Sequence, residues 1–297
     1  MHLITFSKAD QVCIGILDRT SNEVIDLSIA AGELPDNMLD FIAQGSTAKE
    51  KAHTAASQGI GRIPVDQVRI LAPIPRPRRN VFCIGKNYRE HVQELQNAGP
   101  VFDNGGKNSL PEKPIFFTKS TTSVIGSNEP IPASLDPTTS TDYEGELAVI
   151  IGQGGRGIKY ADAMHHVYGY TILNDVTSRR LQRDHQQWFL GKSLDGFCPM
   201  GPVIVTADAI KDVSRLRVQT WVNNDLRQDD VVASLIFDIP TLIETLSRTM
   251  TLEPGDIIAT GTPAGVGMGF KPPRYLQQGD IVKVTIEPIG TLKNTVA

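Results

Sequence analysis

Short apolar runs of strand length recur along most of the chain, and glycine, proline and asparagine residues separate them. Such runs, bounded by turn residues, are typical of β-strands. Three stretches with helical spacing, at 87–95, 178–188 and 239–248, interrupt the series. Because strands outnumber helices and do not alternate with them, a doubly wound parallel sheet is disfavoured. We therefore predict an α+β, mainly β fold whose sheet forms a sandwich or roll. The strands predicted beyond residue 80 are VFCIG, PIFFTK, ELAVII, YGYTILND, PVIVTA, VQTWVN, DIIATG and IVKVTI.

The first 72 residues are predicted to form a small α+β domain of their own. HLITF and QVCIGILD have the pattern of short strands, and DNMLDFIAQ has that of a helix with Asp36 or Asn37 as its N-cap. A proline-rich passage, LAPIPRPRRN at 71–80, then favours extended backbone. We interpret this passage as the connector, which gives two domains, residues 1–72 and 73–297.

One long segment, 96–114, has no periodicity and many turn residues. Loops of this length inside compact domains are usually lids or binding loops, and otherwise surface excursions. The sequence does not choose between these two alternatives.

The charge and hydropathy of the chain disfavour some classes of binding partner. The net charge of −4 and the pI near 5.9 disfavour nucleic acid and an anionic membrane surface as partners. No apolar run approaches the ~18 residues that a membrane span needs, so we expect no membrane partner. The first residues, MHLITFSKADQ, lack the features of a signal or transit peptide. We therefore expect a cytoplasmic protein, with a mitochondrial location not excluded. The three widely spaced cysteines are expected to be small buried hydrophobes.

The stretch DYEGELAVIIG places two acids at the start of an apolar strand. Residues two apart on a strand face the same way, so Glu144 and Glu146 share one side. Two like charges that enter an apolar segment need either solvent at an exposed strand end or a cation between them. Asp175, at the end of YGYTILND, adds a third oxygen donor. An all-oxygen set of this kind suits Mg²⁺ or Mn²⁺ better than zinc.

The helical stretch NYREHVQEL carries a candidate general base. His91 falls on the same stripe as Tyr88, Val92 and Leu95, and Glu94 lies three residues further along. A carboxylate beside an imidazole raises its basicity and fixes its orientation. The alternative is a Glu–His contact on the surface of an amphipathic helix.

Basic and amide side chains follow later in the chain. Arg179 and Gln182 lie three residues apart on one predicted helix face, and Lys192 lies in a Gly-Lys-Ser turn where it could hold an anionic substrate. Isolated basic residues are more often simply solvated, so these positions carry little weight by themselves.

Taken in order, the motifs resemble those of the fumarylacetoacetate hydrolase superfamily, in its C-terminal catalytic domain. The resemblance runs from about Val81 to Val296. The motifs that carry it are GKNYREHVQE, PIFFTKSTTSVIG, DYEGELAVIIG, NDVTSRRLQ, GKSLDGFCPMGP and LEPGDIIATGTPAGVG.

This resemblance implies a mixed β-sandwich roll, a homodimer and a set of site residues. The metal ligands it implies, for Mg²⁺ or Mn²⁺, are Glu144, Glu146 and Asp175. His91 and Glu94 look like the dyad that activates water in the acylpyruvase-like branch, and Lys192 looks like the lysine that faces the substrate. The positions that it implies for substrate binding are Arg179, Gln182 and Thr262.

The resemblance also limits the substrate. The closing segment and the small N-terminal unit are similar to the "fumarylacetoacetate hydrolase domain-containing" subgroup and unlike the SH3-like N-terminal domain of the tyrosine-degrading hydrolase. A small 2-oxo acid is therefore expected, and fumarylacetoacetate itself is not. Hydrolysis of a C–C bond in an acylpyruvate or 2,4-dioxo acid is one expected reaction. Tautomerisation or decarboxylation of oxaloacetate at the same metal–enolate site is nearly as well supported. A non-catalytic ligand-binding relative is the third alternative.

Overall fold

The computed structural model describes residues 1–98 and 110–297. Within these residues the strands form one large mixed sheet, a four-stranded antiparallel sheet and a two-stranded ribbon, which confirms the mainly β, α+β architecture. The α-helices are α1 (Leu27–Ala30), α2 (Met38–Ala43), α3 (Gly45–Ser57), α4 (Arg89–Ala98), α5 (Arg179–Asp184), α6 (Phe189–Lys192) and α7 (Ile239–Ser247). The strands are β1 (His2–Lys8), β2 (Gln11–Asp18), β3 (Glu23–Asp26), β4 (Arg62–Pro64), β5 (Arg69–Ile70), β6 (Val81–Gly85), β7 (Ile115–Lys119), β8 (Val124–Ile125), β9 (Thr141–Asp142), β10 (Gly145–Ile151), β11 (Val167–Asn174), β12 (Thr177–Ser178), β13 (Cys198–Thr206), β14 (Arg217–Val222), β15 (Asp225–Val231), β16 (Ile257–Ala259), β17 (Ile281–Ile286) and β18 (Gly290–Thr295).

Strand β10 lies inside the large sheet, between β11 and β16, and is covered on both faces. Leu147 and Val149 pack into a core shared with the four-stranded sheet and α7. Ala148 and Ile150 pack into a second core shared with α2 and α3. A strand that is buried on both faces needs a continuous apolar run, as ELAVII provides. The acids at the start of this strand are thereby carried into the interior.

The four-stranded sheet, in the order β15-β14-β17-β18, packs closely against the start of β10. Gly145 faces this sheet, where an added Cβ would overlap Thr220 Oγ1 and press on Val284. The close approach of the two sheets therefore requires a residue without a side chain between the two glutamates.

The N-terminal strands continue the large sheet. β1 pairs antiparallel with β13, with His2 opposite Val205 and Leu3 opposite Ile204. The proline-rich passage forms neither helix nor strand, and much of it is buried. Thr5 Oγ1 donates a hydrogen bond to the Pro73 carbonyl at 2.7 Å. The boundary at residue 72 stays a prediction.

Some predicted element boundaries are corrected by the structure. Asn37 is the N-cap of α2, since its side chain accepts from the N–H of Asp40. The segment predicted to be irregular from 96 begins later, because α4 continues to Ala98, and its central part, 99–109, lies outside the described residues. The single helix predicted over 178–188 is wrong. Only α5 (Arg179–Asp184) lies within that span, since the helix ends before Gln186, which adopts the left-handed region at φ +58°, and α6 begins after the span, at Phe189.

None of the helices within 1–98 and 110–297 combines the length and the apolar character that crossing a membrane requires. Cys13, Cys83 and Cys198 are buried free thiols, as expected.

Candidate active site

Three buried carboxylates meet where β10 begins and β11 ends. Glu144, Glu146 and Asp175 each offer an oxygen that lies within 4.8 Å of the other two. Their exposed fractions are only 5%, 1% and 0%, which excludes the exposed strand end as an explanation for the paired glutamates. The backbone holds them together, because the N–H of Asp175 donates to the Glu144 carbonyl at 2.8 Å.

Buried cations surround this cluster. Lys192 Nζ donates to Glu144 Oε2 and to Asp175 Oδ2, both at 2.7 Å. Lys119 Nζ donates to the other oxygen of Asp175 at 2.6 Å, and Arg179 Nη1 donates to Glu144 Oε1 at 2.5 Å. Since an unpaired buried charge is very costly, this pairing explains how so many charges remain in the interior.

The two glutamates have opposite electrostatic surroundings. Burial raises the pKa of Glu144, but the ammonium of Lys192 and the guanidinium of Arg179 outweigh it and hold that pKa below its ordinary value. Burial, together with the charges of Asp175 and Glu144, places the pKa of Glu146 well above its ordinary value. Of the two glutamates, Glu146 is therefore the one that more readily keeps a proton when no further cation is bound.

Burial lowers the pKa of Lys192, but Asp175 and Glu144 outweigh this effect and raise it above its usual value. The same balance, set by Asp142 and Glu144, raises the pKa of Arg179. Both side chains therefore carry their positive charge at neutral pH, which suits groups that face an anionic ligand.

Lys119 ends the apolar strand PIFFTK, and no sequence motif gives it a role. Its side chain is fully buried, and Nζ also donates to the Val176 carbonyl at 3.0 Å. A lysine at the end of an otherwise apolar strand was the available signal, but its partner, Asp175, is 56 positions away in the chain.

On α4, the buried His91 pairs with the partly buried Glu94. His91 Nδ1 lies 3.1 Å from Glu94 Oε2, and His91 is only 4% exposed. The surface-contact alternative is therefore wrong. Because an ionised carboxylate only accepts, Nδ1 is the ring nitrogen that donates, and in a neutral imidazole this arrangement leaves on Nε2 a lone pair that can act as a base. Glu94 Oε1 accepts from the backbone N–H of Gly265 at 2.9 Å, which fixes the carboxylate in turn.

A single loop at 260–269 binds three carboxylates from separate elements through backbone N–H groups. Gly261 donates to Glu146 Oε2 at 2.7 Å, and Gly265 donates to Glu94. The N–H groups of Gly267 and Met268 both donate to Asp142, at 2.7 and 3.0 Å. We name this segment the carboxylate-binding loop.

Thr262, in the same loop, lies in the cavity wall. Its hydroxyl donates to the Gly145 carbonyl at 3.0 Å and accepts from Gln228 Nε2 at 2.7 Å. The hydroxyl proton is therefore engaged within the protein in this arrangement, and the substrate-binding role of Thr262 stays a prediction.

Arg179 is held from behind by Asp142, another residue to which sequence reasoning assigned no role. Asp142 Oδ2 accepts from Arg179 Nε at 2.8 Å, while Asp142 also binds the carboxylate-binding loop. Arg179 Nη2 is buried and has no hydrogen-bond partner among the described residues. Gln182 lies beside it, with Oε1 3.5 Å from Nη1. An unsatisfied buried donor in a cavity wall indicates a ligand position.

These groups line one cavity. Seven of the nine residues predicted from the sequence lie in its wall, and Glu94 and Asp175 lie behind it, each bonded to a wall residue. The apolar part of the wall consists of Ile84, Leu95, Phe117, Trp188 and Met268. The seven predicted residues are His91, Glu144, Glu146, Arg179, Gln182, Lys192 and Thr262.

Comparison with known proteins then assigns the family. The family model described as "Fumarylacetoacetate (FAA) hydrolase C-terminal" matches residues 80–297. The chain belongs to the fumarylacetoacetate hydrolase family. The match begins within one position of the start suggested by the motifs.

Relatives in this family include several named enzymes. The chain is 47% identical over 271 residues to the oxaloacetate tautomerase YisK of Bacillus subtilis, covering 89% of this chain and 87% of that one. A solved fumarylacetoacetate hydrolase from Exiguobacterium antarcticum has 43% identity and a TM-score of 0.84, with coverage of 100% and 99%. A maleylpyruvate hydrolase from Sphingobium, solved with manganese(II) and pyruvate, has 31% identity and a TM-score of 0.80, with the same coverage.

These likenesses confirm the fold of the fumarylacetoacetate hydrolase family and show that the chain is an enzyme. The alternative of a non-catalytic relative is therefore dropped. The buried all-oxygen cluster has the donor chemistry that a hard divalent cation requires.

Proposed function

We propose that this enzyme interconverts the enol and keto forms of oxaloacetate, with a divalent metal held by Glu144, Glu146 and Asp175. The observation that carries the choice of substrate is the 47% identity, over 89% of the chain, to a protein named as an oxaloacetate tautomerase. The site supports it, since a base, a buried cation and a hard-ligand cluster surround one cavity.

The donor set fits Mg²⁺ or Mn²⁺, because it is composed only of carboxylate oxygens and is buried. An ion held by these residues would supply Lewis acidity toward a bound 2-oxo acid.

The protein's own side chains carry out the proton transfer at C3 and bind the substrate. In the keto-to-enol direction, His91 Nε2 accepts a proton from C3, the electrons of that C–H bond move onto the oxygen on C2, and this oxygen takes up a proton from solvent. In the reverse direction, C3 regains its proton from His91. Glu94 keeps the imidazole in the tautomer that can accept at Nε2. Lys192 offsets the negative charge that develops on the substrate oxygen, and the free N–H of Arg179 Nη2 binds the substrate carboxylate.

Hydrolysis of a C–C bond in a 2,4-dioxo acid is the second candidate. The His91–Glu94 pair favours it, because an oriented imidazole can also take a proton from an attacking water. The likeness to the maleylpyruvate hydrolase structure supports this candidate as well.

Ultraviolet absorbance distinguishes the two reactions. The protein is stripped with EDTA, reloaded with Mg²⁺ or Mn²⁺, and mixed with enol-oxaloacetate or acetylpyruvate. We expect metal-dependent acceleration of enol loss from oxaloacetate. Cleavage of acetylpyruvate to pyruvate without any effect on oxaloacetate would replace the first candidate by the second, and no effect on either substrate would reject both.

A Glu144→Gln variant tests the metal assignment. We expect its affinity for Mn²⁺, measured by isothermal titration calorimetry, to fall at least about tenfold, because one charged ligand is lost. Glu50→Gln, which neutralises an exposed acid on α3, serves as the control. Unchanged Mn²⁺ binding in Glu144→Gln would remove Glu144 from the metal site.

A further inference from the structure

The cavity continues from the buried carboxylates to a positively charged outer wall. Arg183 lies in that wall, on α5, and its side chain is 39% exposed. Arg179 and Arg183 are four positions apart, so they share one helix face and both line the cavity. Arg179 bonds to Glu144, which places one end of this arginine pair at the metal cluster.

The spacing of the two arginines fits a four-carbon chain. One turn of helix separates them by roughly 6 Å along the axis. The three C–C bonds between the terminal carbons of oxaloacetate, each about 1.5 Å long, span about 4 Å. A 2-oxo acid whose first carboxylate lies near Arg179 therefore brings a C4 group within reach of a flexible side chain at Arg183.

The competing partner of Arg183 holds it weakly. Arg183 Nε donates to the carboxylate of the adjacent residue, Asp184, at 2.7 Å, and both side chains are largely exposed. Exposed ion pairs contribute at most about 1 kcal/mol, so a substrate carboxylate can replace Asp184. The planar guanidinium offers further donors in a geometry that matches a carboxylate.

We propose that Arg183 is the specificity-determining residue that binds the distal carboxylate of a four-carbon 2-oxo dicarboxylate and selects it over 2-oxo acids with an uncharged end. The inference rests on the proposed function, since it names the group that recognises C4 of the same substrate. Lys86 also lines the cavity, so the test includes it.

Oxaloacetate and 2-oxobutyrate are matched probes, because they differ only in a terminal carboxylate and a methyl group. Binding of each to the Mn²⁺-loaded protein is measured by calorimetry, in parallel with turnover of oxaloacetate. The variants are Arg183→Gln, Arg183→Lys, Lys86→Gln and Arg180→Gln. Arg180 is the matched control, because it lies on the same helix, is exposed and does not line the cavity.

Arg183→Gln is expected to weaken binding of oxaloacetate about tenfold, as the loss of one charged hydrogen bond predicts. Its binding of 2-oxobutyrate stays unchanged, Arg183→Lys restores part of the loss, and Arg180→Gln resembles wild type. In wild type, raising the ionic strength should weaken the binding of oxaloacetate more than that of 2-oxobutyrate, because the contact between Arg183 and the distal carboxylate is exposed.

Two results overturn the proposal: equal effects of Arg183→Gln on both probes, or a loss of oxaloacetate binding confined to Lys86→Gln. The proposed function fails separately. If wild type binds oxaloacetate in an Arg183-dependent way but does not accelerate its tautomerisation, Arg183 keeps its role and the reaction assignment is wrong.

Discussion

Among single residues, Lys119 stabilises the acidic cluster, although no sequence motif gave it a role. Lys119 and Asp175 are both fully buried and bond to each other at 2.6 Å. Removing one partner of a buried ion pair leaves the other charge uncompensated. Lys119 is therefore part of the site's electrostatics even though it does not line the cavity.

Lys119→Met is expected to destabilise the metal-free protein by about 3 kcal/mol, the usual cost of breaking a buried pair. A divalent cation can compensate the freed carboxylate, so Mn²⁺ should raise the melting temperature of the variant more than that of wild type. Differential scanning fluorimetry with and without Mn²⁺ measures both effects. Lys159→Met, at an exposed position, is the control. An equal Mn²⁺ shift in variant and wild type would contradict the prediction.

Asp136 predicts a dependence of stability on pH. Burial raises its pKa, but hydrogen bonds from Thr138, Ser178 and Ser140 outweigh this and hold the pKa below its ordinary value. A pKa that is lower in the folded state than in the unfolded chain stabilises the fold above the unfolded value of about 4. That stabilisation is lost as the pH falls through the folded pKa.

Asp136→Asn should therefore melt at a lower temperature than wild type at pH 7, and the difference should narrow below about pH 4. Thermal denaturation between pH 3 and pH 7 measures it, with Asp162→Asn as an exposed control. A gap between variant and wild type that stays constant over this range would show that the charge of Asp136 does not contribute.

Sequence predicted best those residues whose role depends on local spacing. The helical stripe placed His91 inward, and it is buried as predicted. Alternation on a strand placed Glu144 and Glu146 on one side but left an exposed strand end open, and the structure buries both. Lys119 and Asp142 were missed as parts of the site because their partners lie far away in the chain, at Asp175 and Arg179. Local periodicity carries no information about such contacts.

At the scale of elements, the carboxylate-binding loop depends on glycine geometry. Gly265 has φ +105°, and an added Cβ would overlap the backbone carbonyl of Arg227. Its N–H is the donor that holds Glu94, so a shift of this backbone also releases His91 from its orientation.

Gly265→Ala should lower kcat by at least about tenfold, since general-base catalysis contributes about two to four orders of magnitude. Gly157→Ala is the matched control, because Gly157 also has a positive φ, +71°, but open space around it. Both substitutions place alanine at a positive φ, but only Gly265→Ala also clashes with neighbouring backbone. Any additional loss of activity in Gly265→Ala is therefore due to displacement of the loop. Equal effects of the two substitutions on kcat and on melting temperature would show that the loop does not position the base.

Helices with a wide apolar stripe were predicted, and those without one were not. α4 and α7 lie close to their predicted spans, whereas α3 buries only the small side chains Ala48, Ala52 and Ala55. Because alanine is only weakly hydrophobic, the sequence of α3 shows no clear apolar periodicity. α5 ends before the predicted end of its helix, and Gln186, which follows it, has a left-handed backbone that sequence rules do not identify.

In the molecule as a whole, the large sheet crosses the predicted domain boundary at residue 72. β1 pairs with β13, and residues from both sides of position 72 share the two main cores. The two tryptophans, Trp188 and Trp221, both lie beyond that position. Their fluorescence therefore reports whether a substitution in β1 lowers the stability of residues 73–297.

Leu3→Ala removes a fully buried side chain from β1 and should cost about 2–5 kcal/mol. We expect the unfolding midpoints from circular dichroism and from tryptophan fluorescence to fall together. Val12→Ala, at a position that is 54% exposed on β2, is the control. An unchanged fluorescence midpoint would indicate that residues 1–72 unfold as an independent domain.

The fold class was predictable because it depends on the count and order of apolar runs, such as ELAVII and IVKVTI. The pairing of β1 with β13 was not predictable, because the pattern of HLITF does not identify which distant strand lies beside it. The pattern of the proline-rich passage predicts a connector, whereas its burial depends on tertiary contacts such as that of Thr5 with Pro73.

The carboxylate-binding loop also limits how this enzyme can diverge. Its amides hold a metal-cluster acid, Glu146, the residue that orients the base, Glu94, and the residue that orients Arg179, Asp142. A substitution that moves the loop disturbs all three at once, so they cannot be altered one by one. Arg183 makes no contact with this loop in the hydrogen bonds of the described residues. New substrate preferences can therefore arise at the outer wall by single substitutions, while the reaction chemistry behind it changes only as a unit.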